Sequence, residues 1–561
     1  MRDSDRPESS TPDSPELTTA SKLLLGFALA LVAVTFARAL LGDLIWDDPF
    51  FVPGFDGQPQ ERGLLETVKS TFWDNSSYHA QRPTDFWRPL TSAVIWVSAM
   101  AFGAWTPGYH LVSLLASFGA AFALFLLLKK ISPGRNGPLV PAWVALIMVA
   151  HPLNAEVVGM ISNVSDHLVL LFLSLQIWLL MGPRADRPRK TRFLLVGLFS
   201  LMACASKEIG VLGAIGPLAA WLLDTSTSKD HSRTLKDPLA WIASALPPVL
   251  YLIARYMVID ATGRGHDFMG DSAFSLEVMF LGWGLAIQKA LAPVASGAHS
   301  FIPPGQVIPW LIAAAAWTGL LALSLRAVLR RKLDIALVGS VIAVALLIPS
   351  LLAVKISDGA LRFPTRYFHM PMAGLMIACL PVVARNWRRG FRIAVPAAVI
   401  LLCMLSWIRI AEWRDNVSFF AAESAYHPES VAARLNLVQA QCRARAFDEA
   451  EETLLTLREL PPSDSSTTVA MIHNAFAKIA FLRDGDFERA DAHLKKALEA
   501  DPRNLDNALL LAELRWRTGH ANQALGILRD RLEADWPDAR EKALLHSEIR
   551  KYEAMGVNIA P

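Results

Sequence analysis

Cysteine is scarce, with four in 561 residues. Cys204, Cys379 and Cys403 lie in apolar runs and Cys442 stands alone, so there is neither a disulfide framework nor zinc-ligand spacing. Charge is thin as well: 19% of residues are Asp, Glu, Lys or Arg against 53% hydrophobic, and the formal net charge is +3. That balance is too small to argue for a nucleic-acid partner. No Gly-rich nucleotide-phosphate loop is present. Long apolar runs take the place of these features and exclude a soluble globular protein. The charges are also unevenly placed. Residues 428–561 carry 18 Lys/Arg against 22 Asp/Glu, and the first 427 carry 36 against 29. An apolar, mildly basic body is followed by a polar, mildly acidic tail, the composition of a membrane domain joined to a water-soluble one.

Residues 1–22 are rich in Pro, Ser and acids and are expected to be a disordered cytoplasmic tail. The apolar run 23–41 reads as a retained signal-anchor helix, because its leader is acidic and no small-x-small cleavage site precedes Gly42. Further runs near 108–128, 139–153, 165–182, 192–206, 209–224, 239–258, 306–326, 334–354, 370–385 and 391–410 approach the length needed to cross about 30 Å of hydrocarbon. The expectation is an all-α polytopic domain over 23–425 with about eleven spans. Segments 90–105 and 276–293 are apolar but interrupted, and are assigned to helices lying in or re-entering the interface. Lys and Arg set the orientation. The connections 129–135, 182–192, 224–238, 326–334 and 385–392 hold 19 basic residues, whereas 151–164, 259–275 and 355–369 hold 4. The first set is therefore cytoplasmic, the amino terminus inside and the tail outside.

The tail repeats. Ala-Phe-Asp-Glu-Ala (446–450), Gly-Asp-Phe-Glu-Arg-Ala (485–490) and Gly-His-Ala-Asn-Gln-Ala (519–524) space Ala450, Ala490 and Ala524 by 40 and 34 residues, and Pro462 and Pro502 each follow a repeat alanine by twelve. A period near 34 with small residues at helix crossings is the tetratricopeptide signature. Residues 426–561 are expected to form such a solenoid, with a surface for an extended peptide or a partner protein.

With this topology the polar groups next to apolar spans gather on the outer face. Asp47 and Asp48 follow the first span and open the long outer loop 43–107. Arg88 stands in Asp-Phe-Trp-Arg-Pro-Leu and His110 in Pro-Gly-Tyr-His-Leu. His151, Glu156 and Asp166 bracket one outer turn, Lys207 and Glu208 another, and Arg362, Arg366 and Tyr367 precede the tenth span. Each has a plain alternative: Asp47-Asp48-Pro49 as a helix cap, Lys207-Glu208 as a self-neutralising pair, the arginines as headgroup contacts. Together they favour a site at the outer interface, because charge there is costly unless paired or useful.

In order, Trp46-Asp47-Asp48, Arg88-Pro89-Leu90, Tyr109-His110-Leu111, His151-Pro152 with Glu156, Asp166, Lys207-Glu208, and Arg366-Tyr367 with Pro371 resemble the large-membrane-domain (GT-C) glycosyltransferases. The resemblance is nearest to the transmembrane and tetratricopeptide-containing O-mannosyltransferase-like proteins and extends through Trp413 and the repeats. Ser162-Asn163-Val164-Ser165 and Phe368-His369 depart from the family pattern. The resemblance implies an enzyme that passes a sugar, mannose by family default, from a polyprenyl-phosphate carrier to an acceptor hydroxyl on protein Ser or Thr. Asp47 or Asp48 would be the general base, with Glu156 a further catalytic carboxylate. Arg366, Lys207 and Arg88 would hold the donor phosphate, and His110, His151, Asp166, Glu208 and Tyr367 would support them. Base-assisted displacement predicts inversion at the anomeric carbon. No cofactor is expected to be obligatory, although Asp47, Asp48, His151, Glu156 and Asp166 are hard donors that could hold Mg²⁺ or Mn²⁺. The expected partners are the lipid-linked sugar, membrane lipid and a peptide or protein acceptor at the repeats, in a bacterial inner membrane with the repeats in the periplasm. Two other readings stand beside this one: a non-catalytic membrane-anchored repeat scaffold, and a transporter or flippase for a lipid-linked saccharide.

Overall fold

The computed structural model describes residues 19–52, 63–72, 86–132, 139–181, 188–225, 235–260, 272–293, 297–357, 360–457, 466–533 and 539–554. Residues 1–18 of the expected disordered tail, much of the loop 43–107 and several of the connections expected to be cytoplasmic lie outside the described residues, whereas residues 19–22 of that tail open the helix Thr19–Ala37. The chain folds as two compact units, one within the first 414 residues and one over Asp415–Pro561. The second begins ahead of residue 426 because the helix Asn416–Tyr426, capped by Asp415 on the Ser418 amide, packs on the helix Val431–Arg443.

The first unit is almost wholly helical. Among the described residues six helical stretches are long and apolar enough to cross a membrane, Ser21–Leu41, Thr106–Ile131, Ile161–Leu180, Pro238–Asp260, Val307–Arg330 and Thr365–Glu412, and the bent pair Leu139–Ala150 with Pro152–Gly159, taken as one span, makes a seventh. The protein is therefore an integral membrane protein. Leu311, Leu321 and Leu325 stand exposed on the helix Val307–Arg330, an apolar surface suited to lipid.

Particular segments differ from the expected apolar runs. The 209–224 run is a tight 3₁₀ turn, Glu208–Ile215, followed by a ten-residue helix, Gly216–Thr225. Gly210 there lies so close to the Ala203 backbone that a Cβ would collide with it. The helices Arg189–Ser206 and Ile335–Leu351 fall short in hydropathy or length. The expected spans 370–385 and 391–410 are the two helices His369–Asn386 and Arg392–Glu412, separated by a kink at Trp387–Phe391, where Gly390 has φ 104°. Segments 90–105 and 276–293 form the short helices Pro89–Phe102 and Leu276–Leu291.

Close packing follows from small residues. Helices Ile335–Leu351 and His369–Asn386 cross at Gly339 and Gly374, where an added methyl would press into the backbones of Ala378 and Ala343. One feature had no counterpart in the sequence reading: a small antiparallel sheet, order β1-β3-β2, of β1 His299–Ile302, β2 Lys355–Ser357 and β3 Ala360–Pro364. β1 and β3 pair His299 with Pro364 and Phe301 with Arg362. β3 then runs into the 3₁₀ turn Thr365–Phe368, which carries Arg366 and Tyr367.

In the second unit helices alternate as pairs. Ser430, Asp486 and Asn504 cap three of these helices by accepting the amides of Ala433, Arg489 and Asn507. The turns within pairs put Arg445, Gly485 and Gly519 at positive φ, so two of the three equivalent turns use the residue that tolerates it.

Candidate active site

The Trp46-Asp47-Asp48 turn is held by its last member. Asp48 is fully buried, and its carboxylate accepts the amides of Ile161 at 2.8 Å and Ser162 at 3.0 Å. Burial raises its pKa to about 7 although the two amides pull it down. Asp47 is half-buried and makes no capping bond to the turn Asp48–Phe51. Capping therefore does not account for Asp47. Trp46, before it, sits at φ 53°, a costly conformation for a bulky residue. Its ring meets His299 edge-on at 5.2 Å and lies 5.9 Å from the Arg366 guanidinium. His299 in turn contacts Arg362 at 2.8 Å.

Arg366 also approaches Glu156, with Nη1 4.0 Å from Oε1, and its guanidinium lies 5.6 Å from the Tyr367 ring. Glu156 is buried on the helix Pro152–Gly159, whose start is capped by His151 Nδ1 accepting the Leu153 amide at 3.2 Å. His151 therefore positions the helix that carries Glu156.

Lys207 and Glu208 do not neutralise each other. Lys207 Nζ donates to both Asp166 oxygens at 2.8 and 2.7 Å, and Glu208 accepts Arg88 in a two-point contact at 3.0 and 2.9 Å. Burial alone would lower the Arg88 guanidinium, but the Glu208 carboxylate, with Asp166 and Tyr251 adding to it, holds it above its ordinary range. Phe72 and Phe86 face the same guanidinium at 5.1 and 4.6 Å. Arg88 and Arg366 both lie within electrostatic reach of Lys207. The first two already hold carboxylates, and Arg366 keeps a buried Nη1 with no hydrogen-bond partner. His110 takes a different place: its Nε2 contacts the Asp43 carbonyl at 3.2 Å and fastens the chain after the first helix.

The metal candidates separate. Asp48 is engaged by amides and Asp166 by Lys207, and among the described residues no three His, Cys, Asp or Glu side chains come together as a ligand set.

Beside Glu156 opens a cavity of about 300 Å³ with apolar walls from Leu153, Pro293, Leu405 and Ile408. Its charged groups are Glu156, Lys289, Arg409 and Glu412. Arg409 pairs with Glu412, and burial pushes Lys289 down to about 8, Arg409 adding to the shift and Glu156 opposing it. The sequence reading missed Lys289, Arg409, Glu412 and His299. A lone lysine inside the apolar run 276–293 was the available signal, since an uncompensated charge there is costly.

Comparison with known proteins adds two findings. Residues 481–545 match the tetratricopeptide repeat family. The chain is 26% identical over 152 residues to the Protein O-mannosyl-transferase Tmtc1 of Drosophila melanogaster, covering 26% of this chain and 17% of that protein. It is 21% identical over 184 residues to the Protein O-mannosyl-transferase F38B6.6 of Caenorhabditis elegans, covering 33% of this chain and 26% of that protein. The homology is weak, and the chain spans about a quarter or less of the length of these curated relatives.

Proposed function

We propose that this protein is a membrane glycosyltransferase that moves a sugar, mannose in the first instance, from a polyprenyl-phosphate carrier to an acceptor hydroxyl on protein Ser or Thr. The observation that carries the reading is the meeting of Arg366 with Glu156 and with Trp46, the residue before Asp47, backed by the Lys207–Asp166 and Arg88–Glu208 pairs. The names of the two relatives supply the reaction class. Reaction on the non-cytoplasmic face of a bacterial inner membrane, with the repeats in the periplasm receiving the acceptor, is supported by the bias of basic residues among the connections.

In this mechanism Asp47 accepts the acceptor's hydroxyl proton as its oxygen bonds to the anomeric carbon, a contribution of about 10²–10⁴-fold. The glycosyl–oxygen bond breaks with its electron pair going to the phosphate. Arg366 meets the charge on that leaving group. Attack opposite the phosphate inverts the anomeric carbon. Asp48, held by two amides, positions the turn. The cavity beside Glu156 suits an amphiphile with an anionic head, its apolar walls taking prenyl units and Lys289 and Arg409 facing the phosphate. A divalent ion is not obligatory in this scheme, in which two of the carboxylates that could ligate it are engaged otherwise, Asp48 by backbone amides and Asp166 by Lys207.

The test is transfer by the purified protein in lipid from polyprenyl-phosphate mannose to a Ser/Thr peptide, with and without chelator. Peptide mannosylation of inverted configuration, insensitive to chelator, is expected. Asp47→Asn should abolish it without unfolding the protein. Undiminished transfer by that variant would overturn the assignment of Asp47, and no transfer from any polyprenyl-phosphate sugar would overturn the function.

A further inference from the structure

The repeat unit holds two histidines that play no part in the site above. His473 on the helix Ser466–Leu482 and His493 on the helix Phe487–Ala500 face each other with their Nδ1 atoms 3.1 Å apart. Phe476 lies against the His493 ring at 5.2 Å and 22° between planes, which fixes that ring's orientation. The two helices close on each other through Ala477, Ala490 and Leu494, all fully buried. The backbones carrying the imidazoles therefore cannot part without opening a core. Both rings are half-buried, within reach of an ion from water.

Without a metal this contact is one hydrogen bond, in which the Nδ1–H of one ring donates to the lone pair of the other. The same spacing suits a different occupant. Two imidazole nitrogens at about 2.0–2.1 Å from one zinc ion stand roughly 2.9–3.4 Å apart, depending on the angle between them. We infer that His473 and His493 form a two-nitrogen site for a divalent transition-metal ion of the Zn²⁺ or Cu²⁺ class, which bridges the two helices of this repeat. On binding, the donating ring moves its proton from Nδ1 to Nε2, so that both Nδ1 lone pairs face the ion and no net proton is released. Water completes the coordination.

The charges around the pair set its selectivity. Lys496 acts on both rings and Arg489 on His493, and both oppose a cation, while Glu499 acts on His473 in its favour. Attraction by charge alone is therefore poor, and ions that need oxygen ligands, Mg²⁺ and Ca²⁺, are disfavoured against those that bond to imidazole. Burial, with Lys496, keeps both imidazoles below their ordinary pKa and hence neutral at pH 7, the state that metal binding needs. A bound ion would brace the second of the repeat pairs.

The experiment uses the full chain in detergent, free of any histidine tag, and follows thermal unfolding with ZnCl₂ or MgCl₂. Zn²⁺ is expected to raise the unfolding midpoint reversibly with chelator, and Mg²⁺ to leave it unchanged. His473→Asn and His493→Asn should each abolish the rise. A second readout does not depend on stability: Cu²⁺ added at one equivalent should show electron paramagnetic coupling to two nitrogens, lost in either variant. An equal rise in both variants, or none at millimolar Zn²⁺ together with no two-nitrogen Cu²⁺ signal, would overturn the site.

Discussion

The Asp48 carboxylate accepts the backbone amide of Ser162 at 3.0 Å across 114 residues of chain, and the neighbouring Ile161 amide at 2.8 Å. This divides the work of two adjacent aspartates. Asp48→Asn leaves one oxygen for one amide and turns an NH₂ against the other. It should destabilise the membrane unit by about 1–3 kcal/mol, read as a lower unfolding midpoint. Asp47→Asn should leave that midpoint unchanged and remove sugar transfer.

Asp48 also sets a pH dependence. Its pKa, about 7 folded against 3.8 ordinarily, means that the folded chain binds the proton more tightly than the unfolded one. Its contribution to stability is therefore greatest near pH 4, falls as pH rises towards 7 and is flat above. The slope of stability against pH over this window should be shallower in Asp48→Asn than in the parent; equal slopes would show that another group carries it.

Glu208→Gln strands Arg88 at a position where both side chains are less than one-fifth exposed. A loss of about 3 kcal/mol is expected. Replacing both partners, Arg88→Met with Glu208→Leu, should cost less than the sum of the two single changes. A double-mutant cycle for unfolding measures the coupling, and strict additivity would mean that the pair contributes nothing.

Gly374→Ala drives a methyl into the Ala343 backbone, and Gly339→Ala does the same at Ala378. Each should destabilise by several kcal/mol, or prevent folding, because backbone cannot step aside. Gly526→Ala in the helix Ala521–Glu533 meets nothing within 4 Å. It should stabilise the repeat unit by roughly 0.5–1 kcal/mol. Thermal unfolding of the three variants, side by side, checks both signs.

His473 and His493 give the repeat unit an acid limit. Burial holds both below the ordinary value of 6.5. The unfolded chain therefore takes up protons first as pH falls through 6.5, and stability drops from there towards the folded values. Lys496 and Arg489 oppose the charged form, and Glu499 offsets part of this at His473. Unfolding midpoints of the parent and of a His473→Asn, His493→Asn double variant should converge in slope above pH 7 and diverge below 6.5.

The helical nature of the chain, its membrane-crossing runs and the tetratricopeptide repeats were legible because each rests on local pattern: apolar runs matched to bilayer thickness, and small residues recurring at helix crossings. The bounds of individual spans were not. The 209–224 run divides into a 3₁₀ turn and a ten-residue helix, with Gly210 packed against the Ala203 backbone, a contact that composition does not record. The pairing of strands over His299–Ile302 and Ala360–Pro364 is equally invisible, since β1 and β3 are separated by two long helices.

For the candidate site the division is similar. Residue chemistry alone picked out Asp47, Asp48, Arg88, Glu156, Asp166, Lys207, Glu208 and Arg366, because isolated charges beside apolar spans are costly and therefore conspicuous. Tertiary structure alone decided their partners: Lys207 with Asp166, Arg88 with Glu208, Asp48 with two backbone amides, and Arg366 next to Trp46 and Glu156. It also brought Lys289 and Arg409 to the cavity beside Glu156. Charge at a position follows from side-chain chemistry, but what neutralises it follows from which distant segments the packed helices bring within a few ångströms.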